Sequence, residues 1–155
     1  AVDALSPAET LYVINSVDPA YWERPAPGLD WTYRQLLAHI ATGDWVLQRH
    51  LRHIIETGAV AAWPDVGAGN VRLLEERQFS NDCTLTEEYL SMRHETLGLL
   101  SQLQREHLEL EIELRWLPEP EKPRPLLDYV RGFHAHDGAH RDQLRPAMKH
   151  QTSTG

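Results

Sequence analysis

Four stretches of this chain repeat apolar residues at helical spacing, and each is bounded by residues that start or stop helices. Apolar positions recurring at i, i+3, i+4 and i+7 give a helix one apolar face, which must be buried against another element. The first stretch opens at Ser6-Pro7-Ala8-Glu9. Ser6 is placed to cap, Pro7 suits the first helical position, and Glu9 completes a capping box. It carries Leu11, Ile14 and Val17 and stops before Asp18-Pro19. The second opens at Thr32, with Gln35 three residues on, and runs to about Thr57 before Gly58. Its stripe is Tyr33, Leu36, Leu37, Ile40, Leu47, Leu51 and Ile54. The third opens with a box at Thr84 and Glu87 and runs at least to Leu103, on Leu85, Tyr89, Met92, Leu99 and Leu103. The fourth runs from near Pro125 to near Lys149. Four such helices predict an all-α fold, a four-helix bundle. The connections are long, so a plain up-down-up-down arrangement is not dictated.

Residues 58–70 lead into a short extra helix predicted at 71–79. Residues 117–125 hold Pro118, Pro120, Pro123 and Pro125, which bar a regular helix. The stretch from Leu108 to Leu117 alternates Leu and Glu, which reads as extended or irregular chain. Residues 1–150 are expected to form a single domain, and 151–155 a flexible tail.

A chain of 155 residues is long enough for one real core. Its net charge of −8 shows no basic patch, so nucleic acid is not an expected partner. No apolar run approaches the roughly 20 residues that span a bilayer, and no basic-then-apolar leader is legible. Cys83 stands alone, which excludes an internal disulfide and fits a reducing compartment. A cytoplasmic location is the expectation.

The nine histidines carry the functional signal. His136 and His140 stand four apart, so on a helix their Cβ atoms lie about 6 Å apart on one face. At about 100° per residue that face also holds Leu126, Tyr129, Phe133, Leu144 and Ala147. The pair therefore sits in the apolar stripe, where it needs a partner: another polar group or a metal ion. Asp137 rather than Glu follows His136, which rejects the HExxH protease pattern. A metal would need a third ligand from another helix. His39 lies at the edge of the second helix's stripe, and His50 projects almost the same way about 16 Å further along the axis. The two cannot share one ion, and the helical face by itself leaves both open. His134 points away from the pair, His53 is rotated towards solvent, and His94, His107 and His150 read as surface or capping residues.

The segment from Trp31 to Asp44, with a Trp-Thr cap leading into Leu37-Ala-His39-Ile, resembles the second-helix signature of the DinB-like (DinB/YfiT) superfamily. Phe133 to Leu144, with His136, His140 and Gln143, resembles its last-helix signature. Arg93-His-Glu-Thr-Leu-Gly-Leu-Leu100 is similar to its third helix. Three motifs in the right order cover nearly the whole chain. The resemblance implies a bundle with a long crossover, one metal bound by His39, His136 and His140, and frequent homodimers. It also implies a range of activities, among them thiol S-transfer with bacillithiol or mycothiol, and hydrolysis. Many relatives carry a Gly followed closely by Thr or Ser before the last helix. Here that place holds the proline-rich run from Pro118 to Pro125, so a substrate class does not carry over.

Three imidazoles leave positions open on an ion, the pattern of catalytic rather than structural zinc. Such an ion activates a bound water or thiol as a nucleophile for a small-molecule substrate. Zinc is the first choice for imidazole ligands, with nickel, iron and manganese compatible. Asp44, Asp137 and Gln143 are the candidates to hydrogen-bond around the ligands. Asp44 falls inside the second helix's stripe and needs a partner there: either a group at the site, or an arginine such as Arg93 or Arg141. Two functional classes stay open, a metal-dependent thiol S-transferase or hydrolase, and a non-catalytic metal-binding or stress-associated protein.

Overall fold

The computed structural model describes residues 5–113 and 123–149. The first helix, α1, spans Ala8–Ser16. Ser6 Oγ accepts from the Ala8 N–H at 3.4 Å, but Pro7 occupies the cap position and the expected capping box does not form. Glu9 turns instead to Arg141 and Arg145, each at 3.4 Å. A 3-10 turn at Pro19–Tyr21 follows, capped by Asp18. The capping box expected at the second helix is present: the Gln35 N–H donates to Thr32 Oγ1 at 3.2 Å, and the Thr32 N–H to Gln35 Oε1 at 2.8 Å.

That second helix is not continuous. It divides into α2, Tyr33–Thr42, and α3, Trp45–Thr57, with Gly43 and Asp44 between them. The chain tightens at the break, where the Gly43 N–H reaches Ile40 O. A Cβ at Gly43 would lie 3.2 Å from His39 O, so the glycine allows the closed turn. The stripe predicted for one long helix is nonetheless buried on both pieces, from Tyr33 to Ile54. Gly58 ends α3 in the left-handed region, φ 73°, as a glycine after a helix should.

The short helix α4 is Val66–Glu76, earlier than the predicted 71–79, because Asp65 caps it by accepting from the Ala68 N–H at 3.0 Å. Gly67 and Gly69 in its first turns weaken the helical signal there. Helix α5 is Asp82–Ser101. Asn81 rather than Thr84 caps it, accepting from the Thr84 N–H at 2.8 Å, and it stops short of Leu103. Then come α6, Arg105–Leu108, and a two-residue pairing of β1, Glu111–Ile112, with β2, Arg124–Pro125. The extended reading of 108–117 thus holds at Glu111 and Ile112, while Leu108 is helical; residues 114–117 lie outside the described residues. So do 118–122 of the proline loop, and the tail with His150. Helix α7 is Leu126–Leu144, followed by a 3-10 turn at Arg145–Ala147. The segment beyond α7 returns to the end of α1, where the Asp18 N–H donates to Ala147 O and the Lys149 N–H to Ser16 O.

The fold is all-α in its main body: α1, the broken pair α2–α3, α5 and α7 pack around the core, and α4 rides on the connection between α3 and α5. The core has two lobes. One gathers Val13, Ile14, Leu36, Leu37, Leu85 and Leu144. The other gathers Leu47, Leu51, Ile54, Ile112, Leu126 and Tyr129. On the paired helix the lobes meet at the Gly43–Asp44 break.

A buried ion-pair network occupies that junction. Arg93 of α5 is 1 % exposed and Asp44 2 %. The guanidinium donates to both Asp44 oxygens, at 2.9 and 3.1 Å, and to Asp137 of α7 at 2.8 Å. Its remaining nitrogen donates to Leu5 O at 3.0 Å. Gln48 Nε2 donates to Thr96 Oγ1, whose hydroxyl donates to Asp44 Oδ2 at 2.6 Å. Burial alone would push the Arg93 guanidinium down, but the bonds to Asp44 and Asp137 hold it above its ordinary value. Removing one partner of a buried pair leaves the other charge uncompensated. Arg93→Met is therefore expected to lower stability by about 3–5 kcal/mol in urea unfolding. The double variant Asp44→Asn/Arg93→Met should recover part of that loss. A parent-like urea midpoint for Arg93→Met would show that the network does not hold the bundle.

Candidate metal centre

His39 lies in the last turn of α2, and His136 and His140 lie one turn apart on α7, which packs against α2. The three rings meet end to end. His140 Nε2 is 3.2 Å from His39 Nε2 and 3.1 Å from His136 Nε2. All three ligand atoms fall within 4.8 Å of one another. Two nitrogens each about 2.0–2.1 Å from a tetrahedral zinc would stand roughly 3.3 Å apart, so these separations suit one ion held between the rings. The tautomer of His140 agrees. His140 Nδ1 faces Gln143 Oε1 at 2.8 Å and so carries the proton, which leaves the Nε2 lone pair pointing into the cluster. One lone pair facing two other nitrogens is poorly satisfied by hydrogen bonds alone, and well satisfied by a shared cation. The three histidines could hold a metal ion.

Electrostatics favour the ligand form. Burial, then His140 and His136, push the His39 imidazole down to about 4. Partial withdrawal of its ring from water, and then His140, also lower His136, against the opposing pull of Asp137. Both rings are therefore neutral near pH 7. His39 is buried, but His136 is exposed, which corrects the expectation that the pair lies wholly off the wet side. The apolar stripe of α7 faces a cavity at that level, not a closed core.

The other polar candidates divide. Gln143 meets His140 directly. Asp44 and Asp137 both turn to Arg93, and Arg141 lies 3.8 Å from Asp137. Asp137 follows His136 on the chain, so the network adjoins the cluster through the backbone of α7. His50 does not follow His39: the break at Gly43–Asp44 ends the continuous register that aligned them. Instead it is fully buried, with its ring 4.7 Å from Trp63 and 6.0 Å from Tyr129. Neither ring nitrogen has a hydrogen-bond partner among the described residues, and burial pushes this imidazole down to about 4. His94 and His134 are exposed, His53 is half-buried, and His107 Nδ1 accepts from the Gln104 N–H at the start of α6.

A cavity of about 730 Å³ opens on the cluster, and all three histidines line it. Trp31, just before α2, packs on His39 with ring centroids 4.9 Å apart. Trp45 and Trp63 line the same space, with Tyr129 and Phe133 of α7. Trp45 lies against Gly69 of α4, where a Cβ would come within 2.4 Å of its ring, and its Nε1–H donates to Asn70 Oδ1 at 2.9 Å. Sequence reasoning did not single out Trp45, Trp63 or Asn70. The available signals were five tryptophans in one short chain and a glycine inside a helix.

The histidines set a pH dependence. His39 and His50 stand at about 4 in the folded protein against an ordinary 6.5, and His136 is also lowered. Groups depressed by folding are protonated first in the unfolded chain, so their contribution is complete above the unfolded value and lost as pH falls through the folded one. The metal-free protein is expected to lose stability from about pH 6.5 down to about pH 4. His50→Leu should flatten part of that slope in urea midpoints measured across the range. An unchanged slope would mean that His50 is not held neutral by the fold.

Comparison with curated proteins and with solved structures returned no match. The DinB superfamily family model matches residues 4–144, which takes in all three histidines, the Arg93 network and the cavity. The chain belongs to the DinB superfamily.

Proposed function

We propose that this protein is a metal-dependent enzyme that activates a small nucleophile at His39, His136 and His140. The observation that supports this reading is the placement of the cluster: its three ring nitrogens converge on the wall of a cavity large enough for a small-molecule substrate. A site that only stores a metal needs no such space. A divalent ion held there, zinc first with nickel, iron and manganese compatible, would lower the pKa of a coordinated thiol or water at neutral pH. The chain's own residues supply the rest. Gln143 fixes the His140 tautomer, burial keeps His39 neutral, and the indole of Trp31 holds the His39 ring in place.

S-transfer from a low-molecular-weight thiol such as bacillithiol or mycothiol is preferred to hydrolysis. The same reading carries a cytoplasmic location and a homodimer, which light scattering on the purified protein tests. Metal analysis of the parent and of His136→Ala checks the centre itself: one equivalent of a divalent metal is expected in the parent, and a strongly reduced content in the variant. Equal content in the two would remove the assignment. Incubating the metal-loaded protein with each thiol and a generic electrophile should give conjugation that stops on chelation. Chelator-sensitive hydrolysis without conjugation would favour water as the nucleophile.

A further inference from the structure

We infer that the cavity beside the histidines is a binding site for an uncharged planar aromatic group, the part of the substrate that carries the reacting centre to the cluster. The inference rests on the functional reading above for what happens at the cluster, but not for what the cavity binds.

The walls carry the argument. Five aromatic rings line the space: Trp31, Trp45, Trp63, Tyr129 and Phe133. Flat faces at fixed angles select flat partners, because offset stacking and edge-to-face contact both need ring-like geometry. These rings are also held. Trp45 is fixed between the bare backbone of Gly69 and the Asn70 side chain. Trp63 stands edge-on to the buried His50 ring at 66° and to Tyr129 at 83°. Trp31 is packed on His39. A pre-set aromatic box loses little side-chain freedom when it is filled. Its volume of about 730 Å³ lies within the range of small-molecule sites.

Charge decides between kinds of ligand. No lysine or arginine is among the described residues that line the cavity, so a carboxylate or phosphate tail would lose its water and gain no cation from the protein. Asp65 is the acidic residue of that lining, and its Oδ1 already accepts from the Ala68 N–H as the cap of α4. Asp65 is also exposed, so water screens its carboxylate, and a cationic ligand would draw chiefly on the ring faces while losing its own hydration. Tyr129 is kept neutral, since burial and then Asp44 push its phenol above its ordinary value. The chemistry left is uncharged and aromatic.

The test uses three probes sharing one ring system: neutral naphthalene-methanol, anionic naphthoate and cationic naphthylmethylammonium. Binding to the full chain, freed of metal by chelation, is measured by calorimetry. The neutral probe is expected to bind roughly tenfold or more tightly than either charged one. Gly69→Ala forces Trp45 from its place, and Trp45→Leu removes one wall without a clash. Each should weaken the neutral probe roughly tenfold, while zinc affinity by chelator competition stays at the parent value. Equal or tighter binding of either charged probe, or parent affinity in both variants, would overturn the inference. The zinc titration separates the two ideas: a protein that binds the neutral probe but no zinc loses the metal reading and keeps this one, and the converse result loses this one alone.

Discussion

A guanidinium sharing two carboxylates, withdrawn from water in the middle of the bundle, decides where the helices can lie. Arg93 reaches from α5 to Asp44 at the α2–α3 junction and to Asp137 on α7. A charge so deeply buried is tolerated only with its partners in place, so the three elements are bound to one geometry. That geometry is also the geometry of the histidines. His39 is little more than one turn before Asp44, and His136 immediately precedes Asp137. The ion pair that accompanies the break between α2 and α3 therefore also sets how far the last turn of α2 stands from α7, and with it the Nε2-to-Nε2 distances of 3.1 and 3.2 Å at the cluster.

The break has a second consequence. Had residues 32–57 formed one straight helix, His39 and His50 would share a face. The interruption sends the two rings to different places. His39 joins the cluster, and His50 backs Trp63 and Tyr129 in the apolar lobe around Leu51 and Ile54. Both rings are kept neutral by burial, but for different ends: one leaves a lone pair available, the other fills space behind the aromatic wall. The α4 segment completes the arrangement from outside the bundle, since Gly69 and Asn70 give Trp45 a seat that no bundle helix supplies.

Much of the fold was legible because it rests on local rules. The Thr32–Gln35 capping box, the left-handed Gly58 and the buried stripe of α2 and α3 follow from short-range backbone chemistry and helical periodicity. Two of the misjudged ends have local causes, and one has a tertiary cause. Asn81 out-competes Thr84 as a cap, Asp65 starts α4 early, and Glu9 is drawn to Arg141 and Arg145 across the bundle instead of closing a box on its own backbone. The α2–α3 break was hidden because Gly43 costs a helix only about 1 kcal/mol and does not by itself stop one. What fixes the turn is the bond from Asp44 to an arginine 49 positions later.

The sequence by itself determined that this chain makes amphipathic helices, that His136 and His140 share one face, and that His39 or His50 could complement them. It determined this because helical periodicity and capping act over only a few residues. The family resemblance of the Trp31–Asp44 segment implied His39, and the tertiary structure brings that ring to the pair. Tertiary structure alone decided that Asp44 and Asp137 converge on Arg93 and that the cluster opens onto an aromatic cavity. Those outcomes depend on where separate helices cross, and the crossing is set by contacts between residues far apart in the chain, which no local pattern encodes.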